Sequence, residues 1–188
     1  VQSPQAGLFE ERKRTLLPMR TLGDAIRELD DENPVVMDFS PRKKSYLTRI
    51  PAGGNWRCLP AHIAAESMGL AYLAKGGRSG WWRRLSYDLP CPTIVTMPNH
   101  ASTSLCHPDE VRALSLRECA AVQEFPPHWE FIGKVPEQYA QVGNAVPTRL
   151  GLVAGQLLAE HLRNPLEHPS IGRSTERFRS VYVQSHVR

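Results

Sequence analysis

At 188 residues, 41% of them hydrophobic, the chain is long enough to bury one ordinary core, so a single globular unit with appended arms is expected. No run of about 18 apolar residues occurs, and the first residues lack a basic start followed by an apolar stretch; a soluble, cytoplasmic protein is therefore expected. The net charge of +4 is unevenly placed: residues 39–87 carry nine basic side chains against Glu66 alone, giving that segment +8 and the remainder −4. Such a concentration suits a polyanion, although on charge alone a solvated surface fits as well.

The first element in chain order is a short helix. Thr21-Leu-Gly-Asp24 has the spacing of a capping box, Leu22, Ala25, Ile26 and Leu29 recur at helical intervals, and Asp30 to Pro34 ends the pattern. Ser40-Pro41 then marks a second start, leading into Tyr46, Leu47 and Ile50 on a strongly basic helix. Pro51-Ala-Gly-Gly-Asn-Trp56 reads as a loop, either a plain turn or a phosphate contact, and Pro60 to Leu73 is compatible with helix until Gly76-Gly-Arg-Ser-Gly80 interrupts it.

Trp81 to Tyr87 and Thr93 to Met97, rich in aromatic and β-branched residues, are expected as strands of a small sheet, with the prolines between them at an edge or loop. Strand alternation would bury only one of the adjacent Trp81 and Trp82 in a given core. Ser115-Leu-Arg-Glu118 is a second capping box, placing Cys119, Val122 and Phe125 on one helix face until Pro126-Pro127. Pro147 opens the strongest helical pattern, with Leu150, Val153, Ala154, Leu157, Leu158, His161 and Leu162 in one apolar stripe. The four cysteines form no Cys-x-x-Cys pair and are expected as reduced thiols; adjacent Cys106-His107 with Cys119 makes a poor zinc set, so no metal is expected.

Two segments are specific. Arg112-Ala-Leu-Ser-Leu-Arg-Glu-Cys-Ala-Ala-Val-Gln-Glu-Phe-Pro126 resembles the ninth conserved motif of cytosine-5 DNA methyltransferases, and Gln138-Tyr-Ala-Gln-Val-Gly-Asn-Ala-Val-Pro147 is similar to the tenth. Between Ser79 and His107 the run Arg84-Leu-Ser-Tyr-Asp-Leu-Pro-Cys-Pro-Thr-Ile94 resembles the compact target-recognition region of that family, in which a Thr followed by an aliphatic residue contacts DNA beside the extruded cytosine. Thr21 to Ile26 and Ile50 to Trp56 resemble linker elements preceding that region, so the likeness covers roughly Leu16 to Leu162.

The resemblance implies an α+β chain: a small mixed domain with a short twisted sheet and several helices, ending in a long helix that packs on a catalytic Rossmann-like domain not contained in these residues. Residues 1–20 are then a linker or arm, 21–135 the target-recognition domain, 136–164 a helical segment belonging with the catalytic domain, and 165–188 a flexible tail. S-adenosyl-L-methionine is the implied cofactor, with Gly143, Asn144 and Ala145 its candidate contacts; on the Gly-Asn pair alone, a helix corner capped by Asn144 reads at least as well. Duplex DNA is the implied partner, contacted by Arg78, Arg83, Arg84 and Thr93, since guanidinium forks suit phosphate or guanine edges and a hydroxyl suits phosphate. Arg112, Arg117 and Glu118 are expected to organise the recognition region.

In the family, a Cys thiolate of a Pro-Cys-Gln motif attacks a flipped cytosine while the Glu of Glu-Asn-Val assists, and the methyl group passes to C5. These 188 residues contain neither motif. Pro90-Cys91-Pro92 and Glu32-Asn33-Pro34 are imperfect mimics, and Cys91 reads as a small buried hydrophobe. No catalytic residue is therefore assigned. The expectation is a carboxy-terminal part, preceded by more chain because Val1 is not Met, or one subunit of a split enzyme from a restriction–modification system, inactive alone. A stand-alone DNA-binding module and a non-nucleic-acid interaction domain are the competing expectations.

Overall fold

A computed structural model describes residues 18–163. The expected 165–188 tail, and all but the last three residues of the expected 1–20 arm, lie outside them. Residues 18–148 and 149–163 belong to two separate units.

In the first unit, the sequence signals for helix starts operate as read, whereas α1, α2 and α3 stop earlier than expected. Helix α1 (Leu22–Ile26) begins where the Asp24 amide donates to Thr21 Oγ1 at 3.2 Å and the Thr21 amide donates back to the Asp24 carboxylate at 2.7 Å. Helix α2 (Pro41–Leu47) has Ser40 as its cap and Pro41 in its first turn, where a missing N–H costs nothing. Helix α3 (Ala61–Met68) stops at Gly69, whose φ of +56° only glycine adopts freely, and the chain continues to Leu73 as a 3₁₀ turn. Helix α4 (Leu116–Val122) carries the Ser115/Glu118 capping box and ends before Pro126-Pro127, at the left-handed Glu124. Helix α5 (Val135–Asn144) follows.

The runs expected as strands form no ladder among the described residues. Isolated bridges alone stand there: Arg84 beside Cys106, parallel, and Cys106 beside Ala113, antiparallel. Two local causes are evident. Trp82 has a φ of +50°, which turns the chain out of extended geometry, and Pro90, Pro92 and Pro98 supply no amide to a partner. The same turn changes the fate of the tryptophan pair. Rather than facing opposite sides, Trp82 is buried and Trp81 packs edge-on against it, ring centres 6.0 Å apart, in one cluster.

Two apolar clusters flank the segment from Leu105 to His107. One joins Leu22 and Ile26 of α1 with Leu85, Ile94, Leu114 and the α5 residues Tyr139 and Val142. The other joins α2, α3 and Trp82 with Cys106 and Ala113. Main-chain bonds from Leu85 to Cys106 (2.9 Å), Cys106 to Arg83 (3.3 Å) and Leu114 to Leu105 (2.9 Å) tie the clusters together. Tyr139 is fully buried at their junction, its hydroxyl donating to the Leu114 carbonyl at 2.8 Å and accepting from the Met37 amide at 3.3 Å. Helix α5 therefore shares a core with the elements of 21–135.

The second unit holds helix α6 (Thr148–Arg163) from Arg149 onward. Sixteen residues give it a length of about 24 Å. Its stripe residues Leu150, Val153, Leu157, Leu158 and Leu162 are all exposed. Among the described residues no helix is long and apolar enough to cross a membrane.

Candidate functional site

The ninth-motif segment is organised by one buried ion pair. Arg112 meets Glu118 in a two-pronged contact, both N···O distances 2.8 Å, and also reaches Glu110 at 3.2 Å. The Ser115 amide donates to the same Glu118 carboxylate at 2.6 Å, and the Ser115 hydroxyl donates to Asp31 at 2.6 Å. Burial pushes the Glu118 carboxyl up, but the Arg112 and Ser115 hydrogen bonds outweigh it and hold it below the ordinary value. Arg112 and Glu118 thus tie the Ala113–Ser115 segment to the first turn of α4. Arg117 is exposed, its guanidinium 3.5 Å from the Asp30 carbonyl.

His107 was considered above only as a metal ligand, yet it belongs to this network. Its Nδ1 accepts from the Asp109 and Glu110 amides, each at 3.2 Å, so the neutral ring carries its proton on Nε2, facing Tyr87 Oη at 3.3 Å. Tyr87 passes the chain on by donating to Asp109 at 2.9 Å. Burial holds the His107 imidazole below its ordinary value despite the nearby Glu118. Among the described residues no group of three or more His, Cys, Asp or Glu is placed to hold a metal. Burial also pushes the Cys91 thiol up to about 12, so it is protonated and a poor nucleophile at neutral pH.

The basic residues of 39–87 separate by what they already hold. Arg42 and Lys44 pair with Glu66 and Asp38, and Lys43 donates to the Asn99 carbonyl at 2.9 Å. Arg84 is committed to main-chain carbonyls, those of Pro108 (3.0 Å), Ile50 (3.1 Å) and Asp109 (2.8 Å), which gives it a positioning role between two loops. Arg78 donates to the Tyr72 carbonyl and lies over the Trp56 ring. Arg83 is half-buried, and its guanidinium has no hydrogen bond or ion pair among the described residues. Thr93 is exposed while its neighbour Ile94 is buried in the first cluster, so the backbone presents the Thr hydroxyl outward from a fixed anchor.

The tenth-motif residues meet this same segment. A Cβ on Gly143 would stand 2.5 Å from the Thr96 nitrogen and 2.6 Å from the Val95 carbonyl carbon, so α5 and the Thr93–Met97 run approach backbone to backbone. Gly143 and Asn144 form the last turn of α5 rather than a break after it, and the Ala145 amide bonds the Val142 carbonyl at 3.2 Å. Buried Gln123 donates to the Val142 and Ala145 carbonyls at 3.0 and 2.9 Å, fixing the end of the helix. Its role was missed from sequence, although it stands in the ninth motif; the unfilled carbonyls of a helix end before Pro147 were the available signal. Asn144 is exposed, its side chain without a hydrogen bond among the described residues.

Residues 27–157 match the C-5 cytosine-specific DNA methylase family. The chain belongs to that family. It is 44% identical over 127 residues to the Type II methyltransferase M.Sau96I of Staphylococcus aureus, an alignment covering 68% of this chain and 30% of the relative. It is 40% identical over 160 residues to M.PspPI of Psychrobacter sp. (strain TA137), covering 82% and 38%, and 40% identical over 141 residues to M.Eco47II of Escherichia coli, covering 72% and 34%. The chain thus spans about a third of the length of these relatives. The residues that match the family include Thr93, Arg112, Glu118 and Gly143.

Proposed function

We propose that the chain is the DNA-reading and cofactor-completing portion of a cytosine-5 DNA methyltransferase of the restriction–modification type. The observation that carries this reading is the Gly143 contact: it joins the segment bearing Thr93 to the helix end bearing Asn144, so a target-reading element and a cofactor-facing element would be one rigid piece. Arg83 and Thr93 are the DNA contacts, Arg78 a phosphate contact, and Arg84 their support.

S-adenosyl-L-methionine, which supplies the methyl group in this family, fits these residues as an edge contact. Asn144 offers an unfilled amide and carbonyl, and the Ala145 carbonyl is already held by Gln123. The remainder of the cofactor site, the Cys nucleophile and the Glu belong in this reading to a catalytic portion, on whose surface the apolar stripe of α6 would be buried, offsetting its exposure.

The test is to assemble the chain with a portion carrying the Pro-Cys-Gln and Glu-Asn-Val motifs and to measure transfer of labelled methyl groups to duplex DNA. Transfer to cytosine is expected from the assembly and not from the chain by itself. A folded assembly that transfers nothing overturns the proposal, and salt-sensitive binding without transfer would favour the stand-alone DNA-binding module.

A further inference from the structure

The loop from Ile50 to Trp56 carries a second feature. Trp56 opens the 3₁₀ turn Trp56–Cys58, which is fixed by Asn55 accepting from the Arg57 amide at 3.0 Å and by the Trp56 amide donating to the Trp81 carbonyl at 3.1 Å. Two guanidinium groups from separate segments converge on its indole: Arg57 and Arg78 each lie 4.9 Å from the ring centre. Tyr72 meets the ring edge-on at 5.8 Å and its carbonyl also holds Arg78.

Two like charges on one ring repel each other. The electron-rich face offsets part of that repulsion, but among the described residues no carboxylate pairs with either arginine. Arg20, Arg27, Arg42, Lys44 and Arg112, by contrast, each have an acidic partner. A guanidinium stacked on an aromatic ring keeps its N–H fork available and has lost much of its conformational freedom beforehand, a preparation suited to a planar or tetrahedral oxyanion. The indole Nε1 of Trp56 adds a buried donor with no acceptor in the structure. The Trp56–Trp81 main-chain bond also places this cluster beside the Trp81–Tyr87 segment that carries Arg83.

We infer that Arg57 and Arg78, carried on Trp56, form a clamp for one phosphodiester of duplex DNA, orienting the chain on the backbone without reading a base. This rests on the DNA-acting reading above. It adds Trp56 and Arg57 to the interface and assigns Arg78 a specific structural partner. The ligand chemistry is a phosphate oxyanion; the DNA backbone is the source because the cluster adjoins Arg83.

The experiment measures the salt dependence of duplex binding by the 188-residue chain, its Arg57→Gln/Arg78→Gln double variant, and a Trp56→Leu variant that keeps both arginines. Each phosphate contact contributes about 0.9 to the slope of log affinity against log salt. The double variant is expected to lose about that much, so the parent-to-variant affinity ratio shrinks about 3.5-fold between roughly 50 and 200 mM salt. Preference among duplex sequences should be unchanged. Trp56→Leu is expected to lose a similar slope, which a merely charged surface would not; if it unfolds, Trp56→Phe, which keeps a ring, should show a partial loss.

Binding by the parent with unaltered slopes in the variants overturns the clamp alone, whereas absence of duplex binding both by the parent and by its assembly with the catalytic portion overturns the DNA-acting reading with it. Inorganic phosphate at fixed ionic strength is expected not to displace the duplex. Displacement from the parent but not from the double variant would reassign the site to a free anion and overturn the inference.

Discussion

Replacing Gly143 with alanine places one methyl group where the structure has backbone. The new Cβ would lie 2.5 Å from the Thr96 nitrogen and 2.6 Å from the Val95 carbonyl carbon, and the Thr96 Cα would be 2.9 Å away. Main-chain atoms cannot rotate aside as a side chain does. Overpacking of this sort costs about 1–3 kcal/mol, and rigid neighbours put the cost near the upper end. Alanine's better helix propensity restores at most about 1 kcal/mol, leaving a net loss of about 2 kcal/mol. For a chain of this size that lowers the melting midpoint by roughly 4–8 °C. Thermal and urea unfolding of Gly143→Ala beside Gly155→Ala measures it. At Gly155 nothing stands within 4 Å, so that change should raise the helicity of α6 by the propensity gain alone. A Gly143→Ala chain that melts at or above the parent temperature would show that the two backbones are not in close approach and would remove the basis for joining Thr93 to Asn144.

Three further outcomes follow from the hydrogen bonds. Arg83→Gln should leave stability within about 0.5 kcal/mol while weakening duplex binding, whereas Arg84→Gln, which strips three carbonyls of a charged donor, should cost about 2–3 kcal/mol; chemical denaturation and a DNA-binding assay separate the pair. Glu118→Gln takes the buried carboxylate from Arg112, leaving only the exposed Glu110 as its ionic partner, and should destabilise by about 3 kcal/mol in urea unfolding, a loss that Glu110→Gln, at the exposed end of the network, should not reproduce. The pH profile should fall in two steps on acidification. His107 lies below its ordinary 6.5 in the folded chain, so the unfolded chain takes up the proton first and stability declines as the pH drops below about that value. Glu118, held below its ordinary 4.5, adds a second loss as the pH falls beneath that. In His107→Gln the first step should vanish from a melting-temperature series while the second remains.

The helix starts were legible because their causes are local. Thr21, Ser40 and Ser115 each cap the helix that their spacing announces, whereas Gly69 stops α3 by its own backbone angle well before the break expected at Gly76 to Gly80. The run from Trp81 to Tyr87 was harder, since aromatic and β-branched composition reports burial as much as extension. The left-handed turn at Trp82 is accompanied by a main-chain bond to Ala101 and by the ring packing of Tyr46 and Trp81, which are distant in sequence or adjacent without alternation. Gly143 was recognised from its motif, but its physical role is a close packing with a segment nearly fifty residues away, and nothing in a Gly-Asn pair announces that partner.

Arg83 and Arg84 show the limit most clearly. They are adjacent, equally charged and equally fitted to phosphate, and composition treats them alike. What separates them is the fate of their donors: Arg84 spends three on the carbonyls of Ile50, Pro108 and Asp109, and Arg83 spends none within the described residues. The same sorting, applied to the whole basic segment, reduces its surplus charge to a small set in which Arg57, Arg78 and Arg83 stand on two segments joined by the Trp56–Trp81 main-chain bond. Under the proposed function this division has a consequence for the cofactor side. Arg84 ties the Ile50 loop to the Pro108 turn, Gly143 ties α5 to Val95 and Thr96, and both run through the cluster holding Leu85 and Ile94. A displacement of the DNA-facing loop would therefore be transmitted to Asn144 through packed backbone, so loss of Arg84 should disturb the cofactor edge as well as the DNA contact, while loss of Arg83 should disturb DNA binding alone.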